Sequence, residues 1–152
     1  MDTLIALVGA SSGGSFLAIA SAANSRLRKT LQSAIAAAAI NFVVGSGTLT
    51  LLLVLGVFGQ QNLERLSQVP WWGFIGGSLG AAFVTLSTII IPKLGLTTTT
   101  LAVVCSQMML SLVIDQWGWF GVTPHPISTS RIIAIALLLA AVALTQLDRK
   151  TP

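Results

Sequence analysis

Trp71-Trp72-Gly73-Phe74-Ile75-Gly76-Gly77-Ser78-Leu79-Gly80-Ala81-Ala82-Phe83-Val84-Thr85-Leu86-Ser87-Thr88-Ile89-Ile90-Ile91 runs from end to end without an ionisable side chain. A bilayer core of about 30 Å takes roughly 20 apolar residues in a helix, and this stretch has that length. Pro70 stands just before it, which suits a first helical turn, and Pro92-Lys93-Leu94-Gly95 closes it as a tight connection. Four more runs of the same character cover residues 4–23, 31–58, 96–114 and 131–147. The second is long enough to tilt or to project beyond the core. The last is shorter and is expected to borrow Ser128 or Ser130 as an N-cap. Lipid offers a backbone no hydrogen-bond partner, so such runs must be helices, and the alternation of a barrel is missing. The expected fold is an all-α membrane protein, a bundle of five transmembrane helices forming a single domain over residues 1–152.

Composition agrees. The 152 residues are 54% hydrophobic and 8% charged, where a soluble chain carries roughly 25% charged residues to keep its surface wet. Mean hydropathy is +0.89 and the pI is about 10.3. That basicity does not point to nucleic acid, because the positive residues sit in short clusters between apolar runs. The lone Cys105 excludes an internal disulfide. Residues 1–23 end in the cleavable-looking Ile19-Ala20-Ser21-Ala22-Ala23, yet Asp2 stands where a signal peptide has its basic region. A retained first helix with a translocated N-terminus is expected.

The connections, Asn24 to Thr30, Gly59 to Val69, Pro92 to Gly95 and Trp117 to Thr129, are too short for a soluble domain. Five spans put the termini on opposite sides. Arg26, Arg28, Lys29, Lys93, Arg149 and Lys150 then share the C-terminal side, against Arg65 and Arg131 on the other. The positive-inside rule orients the chain N-terminus out and C-terminus in. Trp71, Trp72, Trp117 and Trp119 fall on the outer side, at the depth where indoles anchor. Helices one and three echo each other at an offset of 67 residues, as in Gly9-Ala10 with Gly76-Gly77 and Arg26-Leu27 with Lys93-Leu94. A duplicated hairpin and the abundance of small residues explain this equally well.

Small residues recur at helical spacing: Gly9 with Gly13, Gly73 with Gly77, and Gly76 with Gly80. They let backbones approach in lipid, where no hydrophobic force drives helices together. Packing within one protomer and a dimer interface are the two readings, with the third helix the better candidate for an interface. Asn41 and Gln107 interrupt apolar runs, and an unpaired amide in hydrocarbon is costly. Each therefore faces a substrate pathway or glues helices together. Thr97-Thr98-Thr99-Thr100 is expected to cap the fourth helix through its hydroxyls. The spans hold almost no ionisable groups, although such groups mark proton and ion relays. Asp115 alone comes close, near the outer interface, where it binds a cation or proton beside Gln107 or simply ends the helix in water. No Cys/His cluster suggests a metal, His125 lies alone between Pro124 and Pro126, and no phosphate loop or catalytic constellation appears. Neither an enzyme nor a cofactor is expected.

Ala23-Asn24-Ser25-Arg26-Leu27, Asn41-Phe42-Val43-Val44-Gly45, the Pro70 to Gly80 segment, Pro92-Lys93-Leu94-Gly95, Ser106-Gln107-Met108, the Ile114 to Gly121 segment and Ile127-Ser128 together resemble the YdcZ-type family of the drug/metabolite transporter superfamily. The resemblance spans nearly the whole chain in order. It implies a bacterial inner membrane protein of five helices, related to half of a ten-helix transporter and working as a dimer or with a homologous subunit of opposite orientation. It names no substrate. Ala20 stands where relatives carry Gln, and Ser106-Gln107 where relatives often read Gly-Gln. The expected function is a secondary transporter, an exporter of small organic molecules with lipid and a small-molecule substrate as partners. Asn41, Gln107 and Asp115 are its expected pathway, with Asn24 at the cytoplasmic end. A non-transporting scaffold or regulatory subunit is the rival reading. A small ion channel stands behind both, since no charged ring or carbonyl filter is present.

Overall fold

The computed structural model describes residues 2–57 and 63–148. Five helices carry them: α1 Asp2–Leu31, α2 Ala34–Val54, α3 Ile75–Leu94, α4 Leu96–Trp117 and α5 Thr129–Asp148. All five are long and apolar enough to cross a membrane, α3 together with the 3-10 turn Trp71–Phe74 before it. Contacts divide the chain into two compact units, Met1–Lys93 and Leu94–Pro152.

In the first unit, α1 does not stop at residue 23. It continues through Asn24 to Thr30, the stretch expected as a connection, and places Arg28 and Lys29 in its last turn. Apolarity ends where the bilayer core ends, but the helix need not. Arg and Lys are good helix formers, and their charge complements the negative end of the helix dipole. The break comes at Gln32, whose φ of 54° lies in the left-handed region. Ser33 then caps α2, its Oγ accepting from the Ala36 N–H at 3.1 Å. The second helix thus begins at Ala34 rather than 31. It closes at Gly56, with φ of 65°, while Leu55 and Val57 return backbone bonds to Leu51 and Leu52. That is a glycine C-terminal cap. Phe58, the expected end of this helix, and Gly59 to Asn62 lie outside the described residues, as do Arg149 and Lys150.

Two 3-10 turns, Leu63–Gln68 and Trp71–Phe74, lead into α3, and Pro70 precedes the second turn instead of occupying a helical position. Pro92, Lys93 and Leu94 belong to α3 and not to a connection, which leaves Gly95 as the single residue before α4. Proline is tolerated so close to a helix end, at the loss of one backbone bond.

In the second unit, α4 extends three residues past the expected 114 and ends at Gly118, whose φ of 63° and ψ of 32° stop it. The threonine run does not cap this helix. Gly95 is the N-cap and offers no side chain, and the Thr99 hydroxyl donates back to the Gly95 carbonyl at 2.7 Å. Ser128 does open α5, but through its carbonyl, which accepts from Arg131 and Ile132. Its hydroxyl pairs with that of Ser130 instead.

Among the described residues little of the apolar surface is covered. The core residues are Ala37, Ala38, Ile91 and Cys105, whereas Ile35 is 75% and Trp71 78% exposed. In water such a surface would drive aggregation; in lipid it is solvated.

Candidate functional site

In the first unit, Asn41 sits on α2 in register with Gly45 and Leu49, four and eight residues on. With Phe42 and Ser46 they line a cavity of about 240 Å³. The lining is apolar apart from the Asn41 amide and the Ser46 hydroxyl, and that hydroxyl donates to the Val43 carbonyl at 3.0 Å. Asn41 is half-buried, and its amide makes no hydrogen bond among the described residues. Among the described residues it therefore joins no two helices through a hydrogen bond. Phe42 is placed by Gly80 of α3: a methyl group added there would lie 3.3 Å from Phe42 Cζ. Asn24 is buried, at 7% exposure, near the other end of α1 from Asp2, and is not part of the Asn41 cavity.

The remaining glycines divide sharply. At Gly73 a methyl group would strike Val69 Cγ1 at 2.8 Å, so Gly73 permits a close approach within the chain. At Gly9, Gly13, Gly76 and Gly77 it would meet nothing within 4 Å. Among the described residues of this unit those four faces are open.

In the second unit, Gln107 is exposed on α4 and its amide also makes no hydrogen bond among the described residues. Asp115 is held. Its carboxylate accepts from Arg131 Nη1 at 2.9 Å, and its backbone carbonyl accepts from the His125 N–H at 2.8 Å. Next to it, Gln116 Oε1 accepts from the Ile127 N–H at 3.0 Å. Trp117 and Trp119 stack with ring centroids 5.4 Å apart. These contacts strap the 118–128 connection to the end of α4. A carboxylate in the last turn of a helix opposes the dipole, and Arg131 offsets that charge.

The sequence reading missed an arrangement at the end of the first unit where α1 and α3 finish. Pro92 has no N–H to give the Thr88 carbonyl four residues earlier. Arg28 supplies the donor instead, its Nη1 lying 3.3 Å from that oxygen. Thr88 is 1% exposed, so the orphaned carbonyl has little water to turn to. A proline four residues after a buried threonine signals the orphan; only the fold identifies its donor. Arg28, Lys29, Gln32 and Pro92 together line a second cavity of about 170 Å³.

Among family models, the one described as "Putative inner membrane exporter, YdcZ" matches residues 5–144. No curated protein and no solved structure matches the chain.

Proposed function

The chain belongs to the family described as "Putative inner membrane exporter, YdcZ", and from that premise we propose that it is a secondary transporter moving small organic molecules out of the cytoplasm as an oligomer. The observation that carries this reading is the Asn41 cavity. An amide at membrane depth with no protein partner costs several kcal/mol unless water or a ligand meets it. Among the described residues Asn41 is such a group, and the other polar side chain of the lining, Ser46, already donates to the Val43 carbonyl. The cavity suits a molecule with an apolar body and a hydrogen-bonding group. Gln107 is the equivalent amide on α4, Asn24 serves the cytoplasmic end, and the Asp115–Arg131 pair borders the outer end.

An odd number of helices has no inverted two-fold repeat within one chain, and such repeats are a common route to alternating access. Such a mechanism calls for a second set of five helices, which we assign to another protomer. The open faces of Gly9, Gly13, Gly76 and Gly77 support that assembly, since each accepts a neighbouring backbone without a clash. Six basic residues against two favour a single N-out, C-in orientation. An inverted assembly therefore takes a homologous partner of opposite orientation.

Transport of a panel of small amphipathic dyes into inverted membrane vesicles tests the reading. Asn41→Leu and Gln107→Leu should each lower the rate about tenfold, the equivalent of one lost hydrogen bond of about 1.4 kcal/mol. Unchanged rates in both would favour a scaffold, which tolerates apolar replacement at these positions.

A further inference from the structure

We propose that the cavity lined by Arg28, Lys29, Gln32 and Pro92 is a binding site for a phosphate-type anion, supplied in the membrane by the headgroup of an acidic phospholipid. The site is independent of the transport pathway, which lies around other residues.

Four observations carry it. The first is charge. Two of the four lining residues are cationic, and none is acidic. Within the same unit the acidic residues stand elsewhere along the chain, Asp2 at the start of α1 and Glu64 between α2 and α3. The second is donor inventory. Arg28 has five N–H donors, of which one goes to the Thr88 carbonyl. The Lys29 ammonium makes no hydrogen bond or ion pair among the described residues. The third is rigidity. The Thr88 bond holds the half-buried Arg28 stem against α3, and Gln32 closes the turn by donating from Nε2 to the Lys29 carbonyl at 2.7 Å. An anion would meet an Arg28 guanidinium that is already placed, which lowers the entropic cost of binding. The fourth is depth. The membrane spans Thr3–Leu31 and Trp71–Leu94 both finish beside this cavity, and the end of a span lies at the level of the headgroups.

Size agrees with the chemistry. The cavity of about 170 Å³ exceeds tenfold the roughly 15 Å³ that one water needs. A phosphate can enter with part of its hydration. Guanidinium and ammonium groups are the usual phosphate ligands, Arg as a fork and Lys as a point charge.

The experiment uses the full chain purified in detergent and mixed with equal amounts of phosphatidylglycerol and phosphatidylcholine, with bound lipid read by native mass spectrometry. Wild type should retain phosphatidylglycerol in preference to phosphatidylcholine. Lys29→Gln and Arg28→Gln should each weaken that retention about fivefold, the effect of one basic residue at a membrane surface. Arg65→Gln, remote from the cavity, should leave it unchanged. A parallel arm adds inorganic phosphate to lipid-free protein and compares the melting temperature with chloride at matched ionic strength. A phosphate-specific rise lost in Lys29→Gln, without lipid selectivity, would identify the same site with free phosphate as its ligand. The proposal is overturned if Lys29→Gln matches wild type in both arms. It is overturned equally if only Arg28→Gln has an effect, because the broken Thr88 contact accounts for that alone.

Discussion

At the scale of single residues, the chain shows how one missing proton organises its surroundings. Pro92 removes a donor, and Arg28 supplies one from a different helix. If this exchange is what fixes Arg28, the two positions are coupled. Arg28→Gln should destabilise the protein by about 1 kcal/mol, and in a Pro92→Ala background, where the backbone N–H returns, most of that loss should vanish. A double-mutant cycle on thermal unfolding in detergent measures it. The Asp115–Arg131 pair is partly exposed, at 26% and 38%, and is worth less. Asp115→Asn should cost below about 1 kcal/mol, so a larger drop in transport than in melting temperature would mark a functional role. Gly118 is more constrained. A methyl group there meets Pro124 Cγ at 2.9 Å in a backbone with φ of 63°, whereas Gly121, with φ of 79°, has open space. Gly118→Ala should lower stability by about 2 kcal/mol, and Gly121→Ala by about half as much. Residue chemistry was only partly legible beforehand. Asp115 and Arg131 stand 16 positions apart, and nothing short of the folded 118–128 strap aligns them. The Thr97 to Thr100 hydroxyls were expected to accept from free N–H groups, but within a helix a threonine can donate backwards to a carbonyl, as Thr99 does.

At the scale of elements, hydropathy located all five helices, because the cost of exposing backbone to lipid leaves no other regular structure for runs so apolar. Their ends were harder to read. Hydropathy reports where the hydrocarbon stops, while α1 ends where Gln32 takes a left-handed φ and α2 ends at Gly56. The glycines show a similar division. Spacing marked Gly76, Gly77 and Gly80 alike, yet only Gly80 lies under a neighbouring side chain, that of Phe42. Gly80→Leu should therefore disturb the approach of Phe42 to α3 and lower the melting temperature of the protomer. Gly76→Leu should leave the protomer's melting temperature unchanged and shift the assembled species toward monomer. Size-exclusion chromatography with light scattering separates the two outcomes.

At the scale of the whole molecule, the positive charges predict one fixed orientation. In a Cys105→Ser background, Gln68→Cys should react with an impermeant maleimide on intact spheroplasts, and Gln32→Cys only after the membrane is opened. Equal labelling of both would reveal a mixed population and remove the need for an oppositely oriented partner. In that orientation the 118–128 strap faces outward, where a protease would reach it first. Cleavage requires a peptide to leave its surroundings and lie extended in the enzyme's cleft. Here the His125 and Ile127 amides are already bound to the end of α4, and Pro124 and Pro126 flank the only histidine. The stretch that looks most like an open loop should thus be nicked slowly, at the rate of its local opening.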